Sequence, residues 1–530
     1  MIKWPGPYHK DLYFIALLLM VVSLPLSKFG MSVAQFGLAI SWLWGGKFKK
    51  KFNRLWYNIP ATVLISFYLL HVIGLIYSSD IDYALKDLRI KLPLLILPLI
   101  LATTEPLGKK KFHFLLLMYI AAVVGGTLVG FGVLITKDIG NIREISPFMS
   151  HIRFGLNVCM AIFVSVYFTL IYIKEKRVLK WVFLAIMVWL IVFLILSKSA
   201  TGFYALSITG LFVSIYAIIK LKKSIARNFL VTAVILVPLF IFSYLFIVVQ
   251  DYFSVGPNEL ANLETKTPNG NKYLHDTVSL RIENGQYIGV YICEPELREI
   301  WKKRSSIDFD GQDLQSQKLK FTLIRYLNSK GLRKDRQGIE SLSDKDIRNV
   351  EKGIANVVYT KNLNLKPRIY KLLWEFQVMK ANENPGGHSL LQRIEFWKAS
   401  IGIIKENFWI GVGTGDIEQA FEKQYEEHQS YLAPEFRHRA HNQYLAIFVS
   451  FGVLGLMWFI FSLIYPALKN QGVPTSWGLY LKGHKGFDYL YFVFFSILIL
   501  SMFYEDTLET QAGVTFYAFL NSLLLFVRKK

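Results

Sequence analysis

Residues 109–136 read KKKFHFLLLMYIAAVVGGTLVGFGVLIT: three lysines, then an apolar run as long as a hydrocarbon core is thick. A core of about 30 Å needs roughly 20 such residues in a helix. Working outward from this stretch, apolar runs of similar length recur at roughly 12–27, 29–45, 58–78, 91–104, 113–136, 152–173, 181–197, 201–219, 228–250, 441–466, 487–504 and 509–527. The chain has 530 residues, of which 53% are hydrophobic and 15% aromatic. A soluble chain of this length contains far fewer unbroken apolar runs. The expected class is therefore an all-α polytopic membrane protein with about 12 transmembrane helices. The run from Leu12 lacks a small-residue cleavage site and a second span follows at once, so it reads as a retained anchor.

A net charge of +22 invites a nucleic-acid reading, so its placement matters. An even number of spans puts both termini on one side. Nearly all the excess positive charge lies in the segments of that same side, including Lys49-Lys50-Lys51 and Lys109-Lys110-Lys111. The long segment 251–440 is close to neutral. This is the asymmetry that retains Lys and Arg in the cytoplasm. It places both termini inside and 251–440 outside, and it makes the bilayer, not nucleic acid, the partner of the basic residues.

Three blocks follow: spans one to nine (1–250), an outer domain (251–440) and spans ten to twelve (441–530). The outer segment is too long for a plain connector. Thr277–Ile282 and Gln286–Ile292 flank Glu283-Asn284-Gly285, a hairpin signal. Helices are expected at Pro295–Lys303, at Leu319–Lys330 closed by Gly331, and at Asp344–Ala355 with Ser343 and Asp346 as a cap. From Ser389, a natural N-cap, Leu390, Ile394, Trp397, Ile401 and Ile404 form one apolar helical stripe. The run Gly411-Val412-Gly413-Thr414-Gly415-Asp416 lacks the lysine of a phosphate-binding loop and follows no strand, so it reads as a turn that fits a helix against its neighbours. A polar helix then runs to about Glu427. The two cysteines, Cys159 in span six and Cys293 outside, are not expected to meet, and their number supports no metal cluster.

Chemistry concentrates at the outer ends of the spans. His151 and Arg153 open span six, Ser197-Lys198-Ser199-Ala200-Thr201 separates spans seven and eight, His441 and Asn442 open span ten, and Glu505, Asp506 and Glu509 lie between spans eleven and twelve. Ionisable groups at such depth are functional candidates. Arg153 and Lys198 are also long enough to snorkel to the headgroups, His441-Asn442 could be only a helix start, and Glu505 and Asp506 suit helix-end bonding as well as acid–base work. Together the basic groups describe a cationic outer rim suited to an anionic headgroup, a diphosphate above all. A neutral histidine beside it would take a proton from an attacking hydroxyl.

The runs Gln392-Arg393-Ile394-Glu395-Phe396-Trp397, Asn407-Phe408-Trp409-Ile410-Gly411-Val412-Gly413, His441-Asn442-Gln443-Tyr444-Leu445 and Phe451-Gly452-Val453-Leu454-Gly455 resemble the O-antigen ligase family. That superfamily also holds O-antigen polymerases and protein O-oligosaccharyltransferases. The resemblance implies a GT-C-like helical fold with a large, mainly α periplasmic loop domain in the bacterial inner membrane. It implies transfer of glycan from an undecaprenyl-diphosphate donor to a hydroxyl at the periplasmic face, with no metal and no cofactor. The implied acceptor is lipid A-core, which would make the chain part of lipopolysaccharide biosynthesis. By position, His441 resembles the family's essential histidine and Arg393 its diphosphate-engaging loop arginine, with Arg153 and Arg439 beside the donor. One departure stands out: Ala200 occupies the place of a family arginine, and Lys198, two residues earlier, replaces its charge only if the backbone there is irregular. Polymerase and protein-acceptor readings share this chemistry. A transporter or flippase of lipid-linked sugar would instead place its ionisable residues near the bilayer midplane.

Overall fold

The computed structural model describes residues 8–137, 142–172, 177–256, 260–360, 365–380, 389–430, 432–469 and 486–527. The connection 470–485 between the tenth and eleventh expected runs and the C-terminal lysines fall outside them, as does the side chain of Ser389. A helix stands at each expected apolar run: Tyr8–Leu26, Lys28–Trp44, Ile59–Gly74, Pro93–Thr103, Lys109–Thr136, His151–Ile171, Arg177–Leu196, Ala200–Lys220, Ile225–Phe253, Gln443–Lys469, Gly486–Tyr504 and Gln511–Phe526. Among the described residues, 8 helices are long and apolar enough to cross a membrane alone. Pro93–Thr103 falls shortest, because 11 residues rise only about 16 Å. A helix that the apolar pattern did not reveal, Ile81–Lys91, precedes it, and Leu92 between them has helical angles (φ −51°, ψ −33°). Pro93 is tolerated at the first position of the second helix because no partner there needs its missing N–H.

The chain divides into two units. One comprises 1–234 and 393–530, the other 235–392. In the first, every side chain from Arg153 to Ser165 is buried, and so is every one from Ala512 to Phe526. These two helices are enclosed on all sides, which explains why neither shows an amphipathic stripe. Polar groups inside are few, and Asn157 is satisfied: it accepts from the Tyr119 hydroxyl at 2.9 Å and donates to the Arg153 carbonyl at 2.9 Å.

Two glycine motifs interlock in this unit. The helix Gln443–Lys469 breaks at Gly452 (φ 62°, ψ −166°), a conformation essentially reserved for glycine. Into the break folds the turn that follows the helix Ser389–Glu406. Val453 N–H donates to the Phe408 carbonyl at 2.8 Å, and Val412 and Gly413 N–H donate to Val449 and Ser450 at 3.0 and 2.8 Å. A Cβ on Gly452 would lie 2.2 Å from the Trp409 carbonyl carbon, and one on Gly411 (φ 67°) 2.4 Å from Phe451 N. The turn also reaches the end of the helix Ile59–Gly74. The Thr414 hydroxyl donates to the His71 carbonyl at 2.7 Å, and the Asp416 carboxylate accepts from Ser79 and Asp80 N–H at 2.9 Å each. The glycine run is thus a packing device.

The second unit has its own core around Trp301, Leu323, Tyr326 and Leu327. Its helices include Glu294–Arg304, Leu319–Ser329, Arg336–Glu340, Asp344–Glu351 and Lys366–Lys380. The capping box of Ser343 and Asp346 is present. The hairpin is shorter than its pattern suggests: Ile282–Glu283 pairs with Gln286–Tyr287 about Asn284-Gly285, and Glu283 leaves the turn to bind Arg325 at 2.8 and 2.9 Å. Cys159 and Cys293 are both buried and unbridged.

Gly452→Ala is expected to cost about 3 kcal/mol or more, because strained backbone and a backbone clash add. A melting curve of the purified protein checks this; a variant that melts like the wild type would show that the break is not held by the turn.

Candidate functional site

The loop 505–510 joins the helices Gly486–Tyr504 and Gln511–Phe526, and it carries three carboxylates, Glu505, Asp506 and Glu509. Glu505 is buried and Glu509 is only 7% exposed at its side chain, a costly placement without opposite charge. Cations from distant parts of the chain meet them. Arg393, on the helix Ser389–Glu406, donates to Glu505 Oε1 at 2.8 Å and also to the Tyr504 carbonyl. Arg153, in the first turn of its helix, points Nη2 at the Asp506 carbonyl (3.2 Å) and Nε at the Thr510 hydroxyl (3.4 Å). Lys91 binds Glu509 Oε2 at 2.7 Å and Asp87 at 2.5 Å. Arg439 stands 3.5 Å from the same Glu509 oxygen and donates to the Tyr83 hydroxyl at 2.8 Å.

The segment that carries His441 is sewn to this loop. His441 itself has left-handed backbone (φ 45°), which turns the chain into the helix that begins at Gln443. Asn442 caps that helix, accepting from Tyr444 and Leu445 N–H at 3.0 and 3.2 Å, and donates to the Phe503 carbonyl at 3.1 Å. The wholly buried Gln443 accepts from Leu508 N–H at 2.6 Å and donates to Glu509 at 3.0 Å. His441 Nδ1 then lies 3.7 Å from both a Glu505 and an Asp506 oxygen, within ion-pair range but longer than a hydrogen bond.

Protonation follows from these neighbours. The Asp506 and Glu505 carboxylates push the His441 imidazole up to about 9 against the opposing effect of burial, so at neutral pH it is a cation. Burial would raise the Asp506 carboxyl, but His441, Arg439 and Arg153 more than offset it and hold it at about 2. These two carboxylates favour the charged imidazole over the neutral histidine expected there. The second histidine of the segment, His438, is exposed with its ring centroid 6.0 Å away, and partial loss of hydration beside its neighbours, then the His441 charge, lowers its pKa.

Arg153, Arg393, Arg439 and His441 are thus brought together on one loop. Lys198 is exposed, and its backbone is left-handed (φ 52°) between the helices ending at Leu196 and starting at Ala200. The irregularity that a charge replacement two residues from Ala200 requires is present. Asp87 and Lys91 escaped sequence reading because they stand before an apolar run; their spacing of four residues on a helix was the available signal. His441, Glu505 and Asp506 also bring one ligand atom each within 4.8 Å of one another, a spacing that suits a cation. Arg393 on Glu505 and Arg153 beside Asp506 are like-charged neighbours that oppose one there.

Fold and site together define a polytopic helical membrane protein with a charged, polar constellation at one end of its helical unit. Residues 356–460 match the family model described as O-antigen ligase, which supports the resemblance carried by Arg393, the Gly411 turn, His441 and Gly452. That family implies a membrane glycosyltransferase of ligase or polymerase type. No curated protein matches the chain.

Lys91→Met would leave two buried carboxylates without their shared ammonium and is expected to cost about 3–5 kcal/mol. Adding Asp87→Asn should recover part of the loss. A Lys91→Met protein with wild-type melting temperature would rule out the network as a support of the site.

Proposed function

We propose that the chain is an O-antigen ligase-type enzyme of the bacterial inner membrane. It takes glycan from an undecaprenyl-diphosphate donor and passes it to a hydroxyl, lipid A-core being the first-choice acceptor, with the rim of 505–510 facing the periplasm. The observation that carries this reading is the convergence of Arg153, Arg393, Arg439 and His441 on a single loop. Guanidinium groups bind phosphate oxygens bidentately and stabilise the charge that grows on a departing diphosphate.

Arg393, Arg439 and His441 are held by carboxylates and Arg153 by the Asp506 carbonyl and neighbouring hydroxyls, so the donor enters by exchange. The diphosphate takes Arg393 from Glu505, and the carboxylate so released lies beside His441. In a direct displacement the acceptor oxygen bonds the anomeric carbon as the bond from that carbon to the diphosphate oxygen breaks. The hydroxyl proton passes to Glu505, while the charged imidazole of His441 donates toward the phosphate oxygens or the incoming hydroxyl. The guanidinium groups supply the positive charge, and no metal is required by this scheme. A growing glycan or a protein hydroxyl would be attacked in the same way, and the mass of the product separates these acceptors. A flippase reading gains nothing from polar groups gathered at one end of the helices.

Transfer by purified protein from undecaprenyl-diphosphate glycan to lipid A-core tests the assignment. His441→Ala is expected to lower the rate at least about 100-fold while lowering the melting temperature less than Lys91→Met does, since Arg393 still pairs with Glu505. The wild-type rate should fall as pH rises through about 9, because a cationic imidazole loses its proton there. A rate that climbs through that range would restore His441 as a neutral base, and an undiminished His441→Ala rate would remove it from the site.

A further inference from the structure

At the opposite end of the same helical unit lies the short helix Phe48–Trp56, which the apolar pattern did not reveal. Its position follows from shared neighbours. Arg54 donates to the Thr103 carbonyl (3.1 Å) at the C-terminal end of Pro93–Thr103, whereas Lys91, just before that helix, binds Glu509 of the candidate site. The helix is steeply two-faced. Phe48, Phe52, Leu55 and Trp56 fall on one arc, and Lys49, Lys50, Asn53 and Arg54 fall on the other. None of its residues is buried.

The apolar arc is anchored where the Trp42 ring meets Phe48 and Phe52 at 5.5 and 6.4 Å and where Leu55 packs against the helical core. Lys51 reinforces the Trp42 edge, its ammonium 4.7 Å over the Trp42 ring and bonded to the Trp42 carbonyl. Beyond it, Trp56 is 81% exposed and Tyr57 84%, between the ends of two apolar helices. Aromatic residues in such positions sit at the membrane–water boundary. A shallow, open hollow lies on the basic side, lined by Lys47, Lys49, Lys50 and Arg54 together with Phe48, Asn53 and Tyr57, with no carboxylate among them.

We infer that Phe48–Trp56 is an interfacial helix that binds the phosphate headgroup of an anionic phospholipid in the leaflet at this end of the bundle, with Lys47, Lys49, Lys50 and Arg54 as its ligands. The charge asymmetry assigns that leaflet to the cytoplasm. Basic side chains attract an anionic surface, and exposed aromatics on the same helix commit the ligand to lipid over soluble phosphate. Lys51 and Arg54 already spend donors on backbone carbonyls, so Lys47, Lys49 and Lys50 carry the discrimination.

The full-length protein, purified in detergent and exposed to equal amounts of phosphatidylglycerol and phosphatidylethanolamine, is read by native mass spectrometry. Phosphatidylglycerol adducts should dominate, and K47Q/K49Q/K50Q should lower that preference about tenfold or more. Three results would each overturn the inference: no preference in the wild type, an unchanged preference in the triple variant, or displacement of the lipid by millimolar inorganic phosphate. The wild-type comparison needs no variant to fold. Glycan transfer by the triple variant should stay at the wild-type rate, since the substitutions lie at the other end of the unit.

Discussion

Three carboxylates in the six residues between the last two helices govern the rest of the helical unit. Glu505, Asp506 and Glu509 lie where water is scarce, and an ionised carboxylate there is tolerable only beside positive charge. Lys91, Arg153, Arg393 and the pair Arg439 and His441 come from four separate places in the sequence and meet that demand together. Remove the acids, and like charges would crowd the same volume. Burial of the last helix on every side fixes the loop, and Gln443 bolts the His441 segment onto it.

The same pairing gives the site its chemical character. Free arginines at a membrane surface would collect any passing phosphate; arginines stored on carboxylates yield only to a ligand with enough negative charge and the right fork geometry. In the proposed reaction each exchange would also free a carboxylate next to the place where a hydroxyl must lose its proton, so storage and catalysis would use one set of groups. The raised pKa of His441 belongs to this arrangement, since two acids hold its proton in place until substrate rearranges them.

Much of the fold was legible. Apolar runs of spanning length became helices at their expected places because no tertiary contact competes with the need to close backbone hydrogen bonds in an apolar setting. Phe48–Trp56 and Ile81–Lys91 escaped because each is short and charged along much of its length. Among the candidate residues, Arg153, Arg393, Arg439 and His441 were visible as basic groups at span ends or in a family motif. Their partners were harder to see. Nothing local predicts that Lys91 will find Glu509, which stands 418 positions away, and nothing local sets the proton on His441. A rim read as cationic became a balanced one for that reason. The Gly411 and Gly452 motifs were legible separately, but their interlock was not.

Donor binding to Glu505→Gln tests the exchange of arginine between carboxylate and diphosphate most directly. Affinity of purified protein for undecaprenyl diphosphate is measured for wild type and variant, alongside the transfer rate. Neutralising the stored partner should tighten donor binding several-fold while slowing transfer, because Arg393 is freed and the proton acceptor is lost. Weaker or unchanged binding in the variant would contradict the account, since Glu505 would then not be what the diphosphate displaces.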